Sequence, residues 1–201
     1  MVSDALSIVR FDRTERTLHW VHASAFMAML ATGLVLYLPM LAQVFSDRPL
    51  VKALHLVAAA AWLTALALIA LLGNRRTLRR TRRDLDYFTA DDLRWLRRQH
   101  APQGRFNAGQ KLNTAVIAGL MVVFTISGTL MYLQEVDARF RGTSAILVHD
   151  IAMYIAIPLV IGHLYMAMLN PSTRHSLRGM VLGTVRRDWA REHHAKWERE
   201  L

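Results

Sequence analysis

Residues 17–46, TLHWVHASAFMAMLATGLVLYLPMLAQVFS, form an uncharged run of 30 residues near the start of the chain. An apolar α-helix needs about 20 residues to cross the roughly 30 Å hydrocarbon layer of a membrane. Three further runs of 22 or 23 residues also lack Lys, Arg, Asp and Glu, and they are residues 53–74, 112–134 and 151–173. The sequence therefore predicts an all-α integral membrane protein with four spanning helices.

Helix-terminating residues and caps refine the bounds of these helices. We expect the spans to pack as a four-helix bundle that forms one domain, residues 1–201. The predicted spans are residues 18–38, 50–73, 110–134 and 145–169. Residues 74–109 are expected to form a polar loop, in which Thr89 or Asp91 caps one short helix.

The charges are separated from the apolar residues. Apolar residues make up 53% of the 201-residue chain, yet the formal net charge is +10. All but four of the 25 basic residues precede the first span, lie between the second and third, or follow the fourth; the exceptions are Arg48, Lys52, Arg139 and Arg141. The positive-inside rule then predicts that both termini, the long loop at residues 74–109 and an amphipathic tail, residues 171–201, face the cytoplasm. Because topology explains the basic excess, no nucleic-acid partner is predicted.

The chain contains no cysteine. This excludes disulfide bonds, thiolate-bound iron–sulfur clusters and covalent haem attachment through C-x-x-C-H. The sequence also lacks the glycine-rich motifs of nucleotide-binding loops and the H-E-x-x-H motif of zinc hydrolases. Any metal in this chain must be held by histidine, methionine or carboxylate side chains.

Five of the nine histidines fall in or at the edge of the predicted spans, where ionisable side chains are costly and usually functional. They are His19, His22, His55, His149 and His163. For any single one of them, an interhelical hydrogen bond is the alternative role. The other four are expected to be solvated, and they are His100, His175, His193 and His194.

Depth along the spans sorts these histidines into two pairs. His149 and His163 are 14 residues apart, which is about 21 Å along a helix and about 40° around it, so both face one side. The outer pair is His55 with His149, and the inner pair is His163 with His19 or His22. Two bis-histidine pairs in a bundle are what two b-type haems require, because two imidazoles saturate the iron and favour electron transfer.

The spans also contain small residues that would make room for porphyrin planes, although each has close helix packing as its alternative role. These residues are Gly33, Gly119, Gly128, Gly162 and residues 58–61. The methionines of the spans are expected to fill the core rather than to bind metal.

Motifs across most of the chain resemble the cytochrome b (gamma) subunit of respiratory formate dehydrogenase, a di-haem protein. They are RTLHW at 16–20, LH at 54–55, FNAGQK at 106–111, HLYMAM at 163–168 and WAREHHAKW at 189–197, together with the spacing of His149 and His163. A bare histidine pattern would equally suit related hydrogenase or thiosulfate-reductase cytochromes. The chain departs from the family in its arginine-dense residues 75–83, in Asp150 and in Pro158.

The resemblance implies an electron conduit that holds two haem b groups. It implies His19 rather than His22 as the inner ligand, so that the iron ligands are His19, His55, His149 and His163. An iron–sulfur beta subunit would deliver electrons at the outer face, and quinone, either menaquinone or ubiquinone, would accept them near the cytoplasm. Formate itself would be oxidised by a separate alpha subunit that contains molybdenum or tungsten.

The quinone is expected where the loop before the third span lies level with the last turns of the fourth. Asn107 or Gln110 would hydrogen-bond a quinone carbonyl, and Lys111 or a haem propionate would relay the proton. The full set of expected quinone-binding residues is Asn107, Gly109, Gln110, Lys111, Met166 and Ala167. The alternative is that Asn107 only caps the third helix, since asparagine is a common N-cap.

Two other functions stay open. The first is a cytochrome b anchor of a hydrogenase or of another molybdoenzyme, which would differ in its partner subunits. The second is a haem-free membrane anchor or small transporter, which would lack the optical bands of haem b.

Overall fold

The computed structural model describes residues 7–45, 47–140 and 144–201. Arg141, one of the residues in the topology argument, lies outside the described residues. The elements in chain order are β1 (Ser7–Val9), α1 (Arg13–Tyr37), α2 (Pro39–Val44), α3 (Arg48–Leu72), α4 (Arg75–Asp86), α5 (Ala90–Leu96), α6 (Ala108–Val136), α7 (Ala145–Leu164), α8 (Leu177–Leu182), β2 (Thr184–Arg186), α9 (Arg187–His193) and α10 (Ala195–Arg199). A π-helical turn, Tyr165–Leu169, extends α7, and β1 pairs with β2.

Four of the helices are long and apolar enough to cross a membrane. They are Arg13–Tyr37, Arg48–Leu72, Ala108–Val136 and Ala145–Leu169, each of 25 or 29 residues. Their number and their positions agree with the four uncharged runs of the sequence. The prediction of a helical membrane protein is therefore supported.

The chain divides into two compact units. The amino-terminal unit contains residues 9–81 and 179–184, and within it α1 packs against α3. The carboxy-terminal unit contains residues 82–178 and 185–201 together with Ser7 and Ile8, and within it α6 packs against α7. Each unit thus contains one pair of long apolar helices.

Caps and breakers set the ends of the helices in the amino-terminal unit. The Asp12 carboxylate accepts a hydrogen bond from the Glu15 amide, and the Glu15 carboxylate accepts one from the Asp12 amide, which forms a capping box at the start of α1. Pro39 begins α2 and so separates it from α1. At the end of α3, a Cβ on Gly73 would clash with the carbonyl oxygen of Ile69, so this close turn requires glycine.

The cytoplasmic loop predicted at residues 74–109 contains more structure than expected. Thr89 caps α5 as predicted, in a capping box with Asp92. The preceding residues were expected only to be polar, but they form the 12-residue helix α4. The tail packs as well: Val185, Trp189, Ala190 and Trp197 form a buried cluster.

One histidine of the tail corrects a prediction. His194 was expected to be solvated, but it is 2% exposed, and its Nδ1 lies 2.7 Å from the carbonyl oxygen of Gly104. The Trp189 ring lies beside it, with centroids 5.2 Å apart. His194 was expected to be solvated because charged residues surround it in the sequence. Its contact with Gly104 attaches the tail to the loop before α6.

Candidate functional site

His55, near the start of α3, meets the hydroxyl group of Thr32 on α1. The Oγ1 atom of Thr32 is 2.9 Å from Nδ1 of His55. The same hydroxyl is 2.8 Å from the carbonyl oxygen of Ala28, one turn earlier in its own helix. This contact, the Thr32–His55 pair, lies within the amino-terminal unit.

His149, near the start of α7, meets a hydroxyl group in the same way within the carboxy-terminal unit. The Oγ atom of Ser127 on α6 is 2.9 Å from Nδ1 of His149 and 2.6 Å from the carbonyl oxygen of Val123. The ring of Phe124 meets the imidazole edge to face, with centroids 5.0 Å apart. The Ser127–His149 pair therefore repeats the arrangement of the Thr32–His55 pair.

The hydrogen bonds of these two pairs favour one tautomer of each imidazole. A hydroxyl group has one proton to donate. Thr32 and Ser127 each donate theirs to a carbonyl of their own helix, so the hydroxyl oxygen accepts a hydrogen bond from the Nδ1–H of the histidine. The lone pair of each neutral imidazole is then on Nε2, which is a nitrogen that binds metals.

The residues around both pairs fit haem b, the group that the resemblance implies. Each hydroxyl residue is followed by a glycine, and a Cβ on Gly33 or Gly128 would lie 3.5 Å from Cε1 of the neighbouring histidine. That is an ordinary contact distance, so the protein's own atoms do not require glycine at either position. Glycine inside a helix costs about 1 kcal/mol relative to alanine, so its presence at Gly33 and Gly128 calls for another reason. Space for a flat group beside each imidazole would provide that reason.

Open space adjoins the Ser127–His149 pair. A pocket of about 320 Å³ in the carboxy-terminal unit is lined by Val123, Ile126, Ser127, Leu130, Ser144, Ala145 and Val148. At Gly119 and Gly162, no heavy atom of the described residues outside the local helix lies within 4 Å of an added Cβ. Gly119 and Gly162 are two of the small residues that were expected to make room for porphyrin.

Two of the inner histidines, His19 and His22, lie against tryptophan rings. His19 meets Trp20 edge to face, with centroids 5.3 Å apart. His22 packs against Trp62 at 5.7 Å, and among the described residues neither His22 Nδ1 nor Trp62 Nε1 has a hydrogen-bond partner. His163 lies two residues before the π-helical turn, a type of distortion that is frequent at functional sites.

Each histidine pair predicted from depth has one member in each unit. His19 and His55 belong to the amino-terminal unit, whereas His149 and His163 belong to the carboxy-terminal unit. The pairing of ligands across the units stays a prediction.

The residues expected to bind quinone have clear structural contacts. The Asn107 side chain accepts a hydrogen bond from the Gln110 amide at 2.9 Å, and the Gln110 side chain accepts one from the Asn107 amide at 3.0 Å. Asn107 is thus the N-cap of α6, as the alternative predicted. A Cβ on Gly109 would lie 3.1 Å from the Trp95 ring, so this glycine allows Trp95 to pack closely.

Lys111 is a buried member of an ion pair. Its Nζ lies 2.8 Å from the Asp92 carboxylate and 2.9 Å from the carbonyl oxygen of Tyr87, and both charged side chains are less than a tenth exposed. Burial acts to raise the pKa of Asp92, but hydrogen bonds from Lys111 and Thr89 outweigh it and hold the pKa below its usual value. Lys111 therefore attaches the start of α6 to the cap of α5.

Met166 and Ala167 lie on the π-helical turn that follows His163. The Met166 carbonyl oxygen accepts a hydrogen bond from the Thr173 hydroxyl at 2.6 Å, and its sulfur lies 3.4 Å from the Asn170 amide nitrogen. Met166 and Ala167 thus lie in the same unit as Asn107 and Gln110. A common binding site for these residues stays a prediction.

Sequence reasoning missed Thr32 and Ser127. Within an apolar helix a hydroxyl residue usually bonds to its own backbone, so neither position stood out. The available signal was a repeated dipeptide: a hydroxyl residue followed by glycine, Thr32-Gly33 or Ser127-Gly128, precedes a histidine by 23 or 22 residues.

Histidines that bind a metal commonly donate their other ring N–H to a hydrogen-bond acceptor, and histidine is a common axial ligand of haem iron, so His55 and His149 on these apolar helices are suited to hold haem. The chain belongs to the prokaryotic cytochrome b561 family, whose sequence profile matches residues 10–183. Membership of this family implies haem b as the cofactor.

Two relatives with known names show which cytochromes the chain resembles. The chain is 26% identical over 215 residues to the formate dehydrogenase cytochrome b556 subunit of Haemophilus influenzae, an alignment that covers 99% of this chain and 85% of that relative. It is also 26% identical over 208 residues to the nitrate-inducible formate dehydrogenase cytochrome b556(Fdn) subunit of Escherichia coli. That alignment covers 100% of this chain and 94% of the relative. The resemblance inferred from the motifs is thereby confirmed.

Proposed function

We propose that this chain is the membrane cytochrome b subunit of a respiratory formate dehydrogenase. It carries electrons from an iron–sulfur subunit through two haem b groups to quinone. The observation that supports this most directly is the repeated hydroxyl–imidazole pair, Thr32 with His55 and Ser127 with His149, each beside a glycine. The names of the relatives supply the enzyme, since they are cytochrome subunits of formate dehydrogenases.

The protein's part in this function is to hold and insulate the haems. His55 with His149 would hold the outer haem, and His19 with His163 the inner one. Bound haem iron takes up and releases single electrons by alternating between its ferric and ferrous states. With two histidines assigned to each haem, no ligand position would remain for oxygen, and the hydroxyls of Thr32 and Ser127 would fix the ring orientation of His55 and His149.

We place quinone at the cytoplasmic side, beside the start of α6. Asn107 and Gln110 each use a side-chain oxygen for the capping box, and an amide NH₂ group remains chemically suited to donate to a quinone carbonyl. Met166 and Ala167 would provide an apolar wall. The buried pair of Lys111 and Asp92 would support the loop, and Lys111 would supply protons from the cytoplasm.

The proposed arrangement in the cell follows from the basic residues. Both termini and residues 74–109 face the cytoplasm, and the four helices cross the bacterial inner membrane. The iron–sulfur beta subunit docks at the outer face and the molybdenum or tungsten alpha subunit oxidises formate beyond it. Lipid surrounds the apolar helices, and nucleic acid is not a partner.

A second candidate is the cytochrome b anchor of a hydrogenase or another molybdoenzyme. It is favoured by the breadth of the matching family, whose description names the cytochrome and no single electron donor. Only the electron donor and its subunits would differ, because the histidine ligands and the haems would be the same. A haem-free anchor is the third candidate.

The test is to purify the full-length chain with its co-expressed genomic neighbours and to record reduced-minus-oxidised spectra with formate, hydrogen or dithionite. We expect b-type bands, two haems per chain by pyridine haemochrome assay, and reduction by formate but not by hydrogen. Reduction by hydrogen alone would identify the hydrogenase anchor. An absence of b-type bands after dithionite would show that the chain is a haem-free anchor.

A further inference from the structure

Helix α4, Arg75–Asp86, presents all its arginines on one exposed face. At about 100° per residue the six guanidinium groups fall within an arc of about 160° along a helix about 18 Å long. The arginines are Arg75, Arg76, Arg79, Arg80, Arg82 and Arg83, and every one is exposed. Asp86 is the one acid on this arginine face, and it pairs with Arg82 at 3.1 Å.

The opposite face of α4 is partly buried and holds the helix in place. Thr77, Leu78, Thr81, Asp84 and Leu85 are half-buried. The Thr81 hydroxyl donates a hydrogen bond to the Glu15 carboxylate at the start of α1. Asp84 forms an ion pair with the buried Arg105 at 3.0 Å. The arginine face is therefore a fixed feature of the surface.

The position of α4 along the chain indicates what lies opposite this face. The helix begins three residues after Leu72, the last residue of the apolar helix α3, so it starts at the depth where the hydrocarbon layer ends. Tyr87 and Phe88 follow it and are exposed, and tyrosine is enriched at membrane interfaces. The end of α3 before the helix and Tyr87 after it would thus both lie at the level of the lipid headgroups.

We propose that the arginine face of α4 binds the phosphate groups of anionic phospholipids. Guanidinium groups bind phosphate oxygens in a bidentate manner, and basic segments next to a span are attracted to anionic leaflets. The positive-inside rule accounts for the number of basic residues in the loop, but it does not require them to share one face of a helix. If the arginines of α4 contact lipid headgroups together, they do have to share one face of the helix.

The test uses native mass spectrometry of the full-length chain, purified with its co-expressed partner subunits in a neutral detergent. Phosphatidylglycerol is added, or phosphatidylcholine with the same acyl chains as the zwitterionic comparison. The variant R75Q/R76Q/R79Q removes three charges from the arginine face. The control R97Q/R98Q/R199Q removes three exposed charges from other elements. Haem content and thermal unfolding check that each variant folds.

We expect phosphatidylglycerol to bind more tightly than phosphatidylcholine, and the α4 variant to weaken its binding by at least about tenfold. The control should bind as the wild type does. Equal binding by all three proteins, or an equal loss in both variants, would overturn the proposal. So would an α4 variant that retains phosphatidylglycerol but loses its partner subunits, since an acidic protein surface would then be the occupant. If the α4 variant fails to fold, raising salt must release phosphatidylglycerol from the wild type without affecting phosphatidylcholine.

Discussion

The hydroxyl oxygen of Ser127 lies 2.9 Å from Nδ1 of His149, although the two residues are on different helices and 22 positions apart. Thr32 and His55 repeat this relationship in the other unit at the same distance. A hydrogen bond to the second nitrogen of a ligand histidine fixes its orientation and raises its basicity. The two hydroxyl residues are therefore expected to influence a haem that they do not themselves coordinate.

Removing these hydroxyls should loosen the haems. In Ser127→Ala or Thr32→Val the imidazole loses the acceptor for its Nδ1–H, becomes a poorer electron donor and is less well oriented. Loss of such a hydrogen bond typically weakens a metal site about 10- to 100-fold. We expect lower haem retention on purification and a higher midpoint potential for the affected haem, because a poorer donor stabilises ferric iron less. Redox titration of the b-type bands measures the latter.

Two threonines provide matched controls for the hydroxyl variants. Thr125 on α6 and Thr64 on α3 also donate to a carbonyl of their own helix, at 2.8 Å in both cases. Thr125→Val and Thr64→Val should leave haem content and potential unchanged. If Ser127→Ala behaves like Thr125→Val, the contact of Ser127 with His149 has no role in haem binding.

The proposed iron ligands predict a simple stoichiometry. His55→Ala or His149→Ala should remove the outer haem, and His19→Ala or His163→Ala the inner one, so haem per chain falls by half in each case. The pyridine haemochrome assay measures this ratio. His22 is the internal comparison, since His22→Ala should keep both haems. If His22→Ala loses a haem while His19→Ala keeps two, the inner ligand is His22.

A substitution at Gly128 can test whether a flat group occupies the space beside the imidazole of His149. In Gly128→Leu a larger side chain would occupy the position where a flat group is proposed to lie against His149. We expect the haem held by His149 to be lost while helical content by circular dichroism stays the same. Ala118→Leu on the exposed side of α6 is the control and should keep both haems. Full haem content in Gly128→Leu would mean that this glycine serves another purpose.

The four spans could be predicted from the sequence because hydropathy and charge are properties of short local runs. The candidate ligand histidines could also be found, since an ionisable residue such as His149 is conspicuous inside an apolar run. Thr32 and Ser127 were not, because their role depends on which helices pair. Helix α4 was missed for a different reason: its six arginines give residues 75–86 the composition of a polar loop, although they recur with the period of a helix.

The buried ion pair of Lys111 and Asp92 should contribute to stability. Lys111→Met leaves the Asp92 carboxylate buried without its cation, a change that typically costs about 3–5 kcal/mol. We expect a lower thermal unfolding temperature for Lys111→Met in detergent, and a partial recovery in the double variant with Asp92→Asn. A double variant no more stable than Lys111→Met would show that the two residues do not interact energetically.

This ion pair also predicts a pH dependence. The pKa of Asp92 in the folded protein is lower than its usual value, so the unfolded chain binds the proton first as pH falls. The stabilisation is therefore complete above about pH 4 and decreases as the pH drops below that value toward the folded pKa. Unfolding temperatures measured on both sides of pH 4 should show a smaller acid-induced loss in Asp92→Asn than in the wild type.

The last prediction separates the two roles of the loop before α6. Asn107→Asp keeps a side-chain oxygen to cap α6 but loses the amide NH₂ that would donate to a quinone carbonyl. Gln110→Glu does the same for the second residue of the capping box. Loss of the cap in Asn107→Ala should cost about 1 kcal/mol of stability. If both residues contact quinone, Asn107→Asp and Gln110→Glu should fold normally and keep both haems reducible by formate, yet quinone reduction should fail.

Stopped-flow reduction of the haems by formate and steady-state reduction of a soluble quinone report the two halves of this reaction separately. The decisive comparison is between Asn107→Asp and Asn107→Ala. A caps-only role predicts normal quinone turnover in Asn107→Asp and a loss of stability in Asn107→Ala, because only the alanine variant leaves the Gln110 amide without its acceptor. A quinone-binding role predicts that both variants lose turnover, since neither retains the amide donor. Normal turnover in Asn107→Asp and Gln110→Glu would therefore move the quinone site away from this loop.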